Sequence, residues 1–384
     1  MNFSGLMSSN LLYPLNPDRN LPWNDLPELP LDEQIFEDLN LYKQLGKTKE
    51  ALALLNGRSI AIANQGVLVN TITLQEAKDS NAIENIFTTE DELYEAYGEE
   101  KSNNQKQGTA KEVLRYREAL WKGFHYLNTQ NNFNLDYFVL VYNVIKETKE
   151  GLRSPVSRVH IRLGGSGSNA GNPIYTPPRG VGIIEKKMSN LIEYINGAID
   201  VPNEPLLKLA VAHYQFEVIH PFSDGNGRTG RIMMIHYLCK QGLLDYPILF
   251  LSRYIMEHKL EYYELLAGVS QRGAWKEWIL CMLRAIEYTS KLTFNKISDI
   301  VALKKDMLEL IKKETDIRRP DDLTQALFTQ PFTKVSHLTK AGMYAENTAR
   351  DYLHKLVDLR LLEKRIVSGK HYFLNTELKR ILSY

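Results

Sequence analysis

The chain has 384 residues, 43% hydrophobic and 24% charged, an ordinary globular balance with room for about two or three domains of ~150 residues each. Its 47 Lys+Arg nearly cancel its 46 Asp+Glu, so net charge points to neither a polyanion nor a membrane surface as partner. A core this large needs no disulfide or structural metal, and Cys239 and Cys281, far apart in apolar segments, read as reduced core thiols. The start lacks a basic stretch leading into an apolar run. No later segment gives about eighteen uninterrupted apolar residues. The expectation is a cytoplasmic protein without a membrane partner.

The first thirty residues carry Pro14, Pro17, Pro22, Pro27 and Pro30 and predict an extended arm laid over the surface. From residue 32 to about 97 the spacing of Leu and Ile is helical, in "FEDLNLYKQLGKTKEALALLNG" and again in "TLQEAKDSNAIENIF". The polar stretch "GEEKSNNQKQGT" predicts a loop. Two helical patterns follow, "AKEVLRYREALWKGFHYLNT" and "LDYFVLVYNVIKETKE". Then "RSPVSRVHIRLGGSGSNAGNPIYTPPRG" interrupts them, its alternation over 156–163, Gly/Ser/Asn tip and "PIYT" return predicting a β-hairpin flap. Helices resume through Tyr288 and on to about Glu314. From about Asp321 the pattern is helix, helix, a turn at Gly342, an amphipathic helix over 345–357 with Ala349, Leu353 and Leu356 on one face, and a hairpin turning at Ser368 and Gly369. No internal repeat is present. The domains expected are 1–110, an arm and helical region; 111–290, a helical core; 291–320, a helical linker; and 321–384, a compact C-terminal piece.

Residues 220–231 read HPFSDGNGRTGR, directly after the apolar run "LLKLAVAHYQFEVI". Glycines weaken a helix and arginines resist burial, so the stretch is suited to something other than packing. As a loop entering a helix, it meets free N–H groups and the positive end of the helix dipole. Gly225 and Gly227 let the backbone curl around an anion, Asn226 offers an amide, and Arg228 and Arg231, three apart, share a helical face where their forks match phosphate oxygens. Asp224 is placed to hold Mg²⁺, which takes one or two carboxylates plus substrate phosphates. His220 suits the abstraction of a proton from an alcohol at neutral pH. Pro221 breaks the preceding helix and Phe222 anchors the loop. Together these describe a phosphoryl- or nucleotidyl-transfer site. His213 and His220, seven apart with no third soft ligand nearby, do not suggest zinc, and His213 reads as a core residue.

The stretch matches HPFx[D/E]GNGRxxR at every specified position and so resembles the signature of the Fic family, a likeness extending over roughly residues 112–283 with the flap and "EYYELL". The resemblance implies a mainly α helical bundle with a β-hairpin flap that transfers AMP from ATP to a hydroxyl of a protein. By position, His220 would deprotonate the target Ser, Thr or Tyr. Asp224 would hold Mg²⁺ against the α- and β-phosphates. Gly225, Asn226, Gly227 and Arg228 would bind phosphate oxygens and Arg231 the γ-phosphate, with Thr229 and Gly230 contributing mainly backbone. The flap strands, 159–163 and 174–176, would receive an extended target peptide. Tyr175 and Thr176 would lie over the nucleotide, and Tyr262 and Tyr263 would wall the adenosine pocket.

Residues 80–85, SNAIEN, resemble the [S/T]xxxE[G/N] pattern of an inhibitory helix found in many Fic proteins, with Ser80 and Glu84 four apart on one helical face. The resemblance implies that Glu84 restrains the site by engaging Arg231 and displacing the γ-phosphate, and in some relatives the same glutamate serves AMP removal. The C-terminal piece resembles a winged helix-turn-helix. Arg350, Lys355, Arg360, Lys364, Arg365 and Lys370 make it locally basic, diluted by Asp351, Asp358 and Glu363. Expected partners are a protein with a surface hydroxyl, the chain itself (automodification or a homodimer), and DNA through the C-terminal piece. The competing readings are another Fic phosphotransfer chemistry and a nucleotide-sensing DNA-binding regulator.

Overall fold

The computed structural model describes residues 15–16, 18–63, 67–89, 92–93, 108–162, 173–199, 202–367 and 370–383. They fall into two compact units: one takes residues up to 51, 118–243 and 254–288, the other 52–117, 244–253 and 289–384. The helices in chain order are α1 (Leu39–Ala63), α2 (Val67–Ile83), α3 (Thr109–Gln130), α4 (Leu135–Lys146), α5 (Ile183–Ile195), α6 (Pro205–Ile219), α7 (Asn226–Lys240), α8 (Leu251–Glu257), α9 (Lys259–Arg272), α10 (Trp275–Glu314), α11 (Pro320–Leu327), α12 (Val335–Lys340), α13 (Glu346–Asp358) and α14 (Thr376–Ser383). Among the described residues, strands are confined to two small antiparallel sheets, and the chain is mainly α as expected. No helix among the described residues is long and apolar enough to cross a membrane.

The first unit is organised around α6. Its sequence is apolar almost all round, the pattern of a helix enclosed by others, and from Leu206 to Ile219 only Glu217 is partly exposed. Pro205 opens the helix, where its missing N–H costs nothing, and Glu204 caps it by accepting from the Leu206 N–H. Helices α5 and α7 pack against α6, and α4 packs against α5 and α7. The α6–α7 approach depends on Gly230: a Cβ there would lie 2.4 Å from Glu217 Oε1 and 3.0 Å from the Phe216 ring. Trp278 closes the other side, its indole N–H donating to Ala210 O at 2.8 Å.

The arm follows expectation in conformation and exceeds it in attachment. Residues 18–31 carry no helix or strand, yet Trp23, Leu26, Leu29 and Leu31 are all buried. Main-chain groups that would otherwise be stranded find side-chain partners: Asn190 brackets Leu29 from both sides, Lys187 donates to Leu26 O and Gln215 to Pro27 O. Residues 1–14 lie outside the described residues.

The flap hairpin forms with Ile161 opposite Tyr175 and Arg162 opposite Pro173, β1 being Ile161–Arg162 and β2 Pro173–Tyr175. Its predicted tip lies outside the described residues, as does most of the loop predicted at 98–109. Helical periodicity overran in two places. Residues 84–89 are non-helical, and α4 stops at Lys146 because Glu147 adopts a left-handed conformation.

In the second unit, residues 289–314 continue α10 as one unbroken helix through the segment expected as a linker. The C-terminal elements follow the predicted order, helices α11 to α13 and then the hairpin β4 (Glu363–Val367) and β5 (Lys370–Leu374), its turn lying outside the described residues. Two elements were not anticipated. Strand β3 (Phe332–Thr333) completes a sheet of order β3-β5-β4, and α14 follows it. Ala349, Leu353 and Leu356 are buried on α13 as expected, joined by Tyr352. Among the described side chains, Arg350 is ion-paired with Glu346, Lys355 with Asp316 and Asp351, and Arg365 with Glu363.

Candidate active site

The motif forms the turn between α6 and α7. His220 ends α6 in a left-handed conformation (φ 50°, ψ 60°), its N–H still bonded to Phe216 O, so its half-buried imidazole leaves the helix line at the turn. Its Nδ1 lies 3.3 Å from Glu217 O. Phe222 is fully buried and stacks on Tyr142 with centroids 4.2 Å apart and planes 7° from parallel, which fixes the loop floor. The Asn226 amide brackets Phe222, accepting from its N–H and donating to its carbonyl, both at 2.9 Å. The side chain expected to offer its amide to a phosphate is therefore engaged in shaping the loop.

Gly225 precedes α7 with φ 72°, a conformation that glycine adopts without strain. Its carbonyl accepts from the N–H and the hydroxyl of Thr229, at 3.0 and 2.9 Å, which closes the first turn and buries Thr229. Asp224 lies on the turn with a 64% exposed side chain. Its Oδ1 accepts from the Gly225 N–H at 2.6 Å and its Oδ2 meets Lys146 Nζ at 2.6 Å. Partial burial pushes the Asp224 carboxyl up, but Lys146, the Gly225 N–H and the Arg228 charge outweigh it and hold the group below the usual carboxylate range.

Arg228 and Arg231 lie on α7 and are among the largest fully buried side chains, with Gly227 half-buried between the loop and Arg228. The charge of Arg231 adds to burial in depressing the nearby His213 to about 3, so that imidazole is neutral. His213 Nε2 and the Tyr262 hydroxyl are 2.7 Å apart, which makes His213 the core residue expected. Tyr262 is thereby part of the same packed layer, wedged against Trp278, whereas Tyr263 remains half-exposed beside it.

Tyr175 and Thr176, expected to lie over a nucleotide, pack against the arm. Both are buried, because the arm covers them. Trp23 packs edge-on to Tyr175 and its N–H donates to Thr176 O at 3.1 Å, while the Thr176 hydroxyl donates to Arg19 O.

Glu84 does not sit within α2. The helix ends at Ile83, with Ser80 fully buried and Glu84 in the terminating turn. The Ile86 N–H reaches Asn81 O and the Asn85 N–H reaches Ala82 O, both at 3.0 Å, around Asn85 at φ 62°. Glycine and asparagine are the residues that tolerate that conformation, which accounts for the last position of SNAIEN.

Two residues escaped sequence reasoning. Arg153, only 5% exposed, donates through Nε to His220 O at 2.8 Å and through Nη2 to Pro178 O and Ile219 O, while its own N–H reaches Pro221 O. Lys146 holds Asp224. Neither partner is legible from local spacing.

Among the described residues, no cluster of three or more His, Cys, Asp or Glu could hold a metal. One exposed carboxylate beside a helix N-terminus does suit Mg²⁺, which draws its other ligands from phosphates and water.

Residues 143–238, which contain the turn from His220 to Arg231 together with Lys146 and Arg153, match the Fic/DOC family. The chain carries a Fic domain. Residues 42–125 match the Fic/DOC family N-terminal region, and residues 303–378 match the C-terminal domain of SoFic-like protein adenylyltransferases. Protein adenylyltransferase Fic of Culex quinquefasciatus is 36% identical over 115 residues, covering 30% of this chain and 22% of the relative, so under a quarter of that protein's length is spanned. Two solved structures share the fold. A Fic family protein from Desulfovibrio desulfuricans G20 has a TM-score of 0.53 at 19% identity, covering 91% of this chain and 98% of its own. Fic-1 from C. elegans has a TM-score of 0.50 at 18% identity, covering 67% and 71%. The matched segment thus runs from the end of α4 through the flap, α5 and α6 into α7.

Proposed function

We propose that the chain is a protein adenylyltransferase that moves AMP from ATP to a Ser, Thr or Tyr hydroxyl of a target protein, self-modification included. One observation carries this reading: a half-buried imidazole, an exposed carboxylate, a left-handed glycine and two buried guanidinium groups stand on one helix–loop–helix turn. Buried arginines are retained where an anion rewards their desolvation.

With its Nδ1 hydrogen directed to Glu217 O, His220 keeps its lone pair on Nε2, the form a general base needs. The target oxygen attacks the α-phosphorus, its proton passes to His220, and pyrophosphate departs. Arg228, Arg231 and the first-turn N–H groups of α7 hold the triphosphate in line. Mg²⁺, held by Asp224 when bound, neutralises charge on the phosphates. Gly227 keeps the backbone open to the phosphates. Tyr263, half-exposed, is the side chain of its pair left to border adenosine, with Tyr262 supporting it from the core.

Glu84 is proposed as the restraining carboxylate, with Ser80 anchoring the end of α2, and as the group that serves AMP removal. The C-terminal winged helix reads as a docking or dimerisation module, since Arg350, Lys355 and Arg365 are already paired to acids. The compartment proposed is the cytoplasm.

The test is incubation of the full chain and its Glu84→Gly variant with α-labelled ATP and a lysate, followed by mass spectrometry of the product. Label transfer that rises with Glu84→Gly and vanishes on adding His220→Ala supports the reading. A product carrying an added phosphate alone points to another phosphotransfer chemistry. Nucleotide binding without transfer, together with salt-sensitive duplex binding, points to a regulator instead.

A further inference from the structure

The Lys146–Asp224 pair is unlike an incidental surface contact. Lys146 is the last residue of α4, and Glu147, at φ 53°, ends the helix directly behind it. Its aliphatic stem crosses the loop: a Cβ on Gly225 would meet Lys146 Cγ and Cδ at 3.4 Å, and the lysine side chain is only 29% exposed. The stem is therefore held against the glycine, and the ammonium is delivered to Asp224 Oδ2 at 2.6 Å. The other oxygen, Oδ1, accepts from the Gly225 N–H. Both oxygens of the carboxylate proposed to take a divalent cation are thus already engaged.

We propose that Lys146 is a positioning residue that competes with the divalent cation for Asp224, so that it sets the metal concentration at which the site loads. The inference rests on the reading of Asp224 as the metal ligand. An ammonium is a compact point charge on a flexible stem, able to withdraw where a rigid arginine fork would be harder to displace. It holds the Asp224 carboxylate in place while no metal is bound, and it must give up Oδ2 before a cation can coordinate there. Because Asp224 is largely exposed, the competition is modest: removal of Lys146 should tighten metal binding by about two- to five-fold, the range that exposed ion pairs support.

The experiment is a titration of the full chain with Mn²⁺ in the presence of ADP, followed by electron paramagnetic resonance of the free ion. Lys146→Met and Lys146→Gln should both lower the Mn²⁺ dissociation constant about two- to five-fold, with unchanged thermal unfolding establishing that each variant is folded. Asp224→Asn should abolish the tight site. If Asp224→Asn loses Mn²⁺ while both Lys146 variants bind it as the native chain does, or more weakly, the competition is refuted and the metal reading survives. If Asp224→Asn binds Mn²⁺ normally, the metal reading falls and the inference with it.

Discussion

Arg153 Nε donates to the carbonyl oxygen of His220 at 2.8 Å, and the same guanidinium reaches the carbonyls of Ile219 and Pro178. One buried side chain thereby ties the end of α6 to the segment following the flap. Burial pulls Arg153 below its ordinary pKa, which still leaves an arginine protonated at neutral pH. Arg153→Met removes the donors and leaves the carbonyls behind, at a cost of about 2–3 kcal/mol in urea unfolding. A shift of about 1 Å in the base costs about a hundredfold in rate, so AMP incorporation should fall by at least tenfold. Native stability and native turnover in this variant would show the clamp to be idle.

Gly230 occupies a family position without a fixed residue, yet here it has no room for a side chain. Gly230→Ala would press on the fully buried Phe216 ring at 3.0 Å as well as on Glu217, and the ring cannot swing away as a flexible carboxylate can. Overpacking of this size costs about 1–3 kcal/mol. Scanning calorimetry should register a lowered Tm, and nucleotide affinity should weaken as α7 is displaced from α6.

Glu76, on α2, is buried and accepts from Ser252 N–H at 2.9 Å, from the Ser252 hydroxyl at 2.5 Å and from the Tyr116 hydroxyl at 3.0 Å. Burial outweighs these bonds and pushes its carboxyl up to about 8, with Asp79 adding to the rise. The folded chain therefore keeps a proton that the unfolded chain releases above about 4.5. Stability contributed by this group is complete below that pH and is lost as pH climbs through about 8. Glu76→Gln holds the neutral form permanently, so its stability relative to the native chain should rise steadily from pH 5 to pH 8.5. Chemical denaturation across that range checks it, and a flat difference would contradict the raised pKa.

The left-handed turn at Asn85 gives the end of α2 its own test. Asn85→Gly should be nearly silent in stability, because glycine adopts φ 62° without strain. Asn85→Val should cost about 1–2 kcal/mol, since its branched Cβ meets the following carbonyl in that conformation. Under the proposed role of Glu84, the valine variant should also incorporate more AMP, because the glutamate is held by the same turn. Equal stability of the two variants in urea would dissociate the sequence pattern from the turn.

Much of this protein is written in local sequence. Helix periodicity placed α3, α4 and α13, and the end of α10, within a few residues, because an α-helix satisfies its own backbone within four residues and exposes one face of every turn. The constellation at 220–231 was legible for a similar reason, being contained in twelve consecutive positions. What it lacked was context. The overrun of α4 past Lys146 and of α2 past Ile83 came from turns closed by left-handed residues, Glu147 and Asn85, the first of which is a weak signal for such a conformation.

Tertiary structure alone decided the rest. Arg153 and His220 lie 67 positions apart, and Lys146 and Asp224 lie 78 apart, so no periodicity connects them. Strand β3 is two residues long and exists only because β5 offers it an edge. Tyr175 and Thr176 carry the composition of a binding strand, but the arm covers them, and no rule of local propensity says which surface an arm will occupy. Sequence by itself determined which chemical groups this chain assembles on one turn. The packing of distant segments determined how those groups are held, because desolvation and steric exclusion act between whatever surfaces the fold brings together, whatever their separation along the chain.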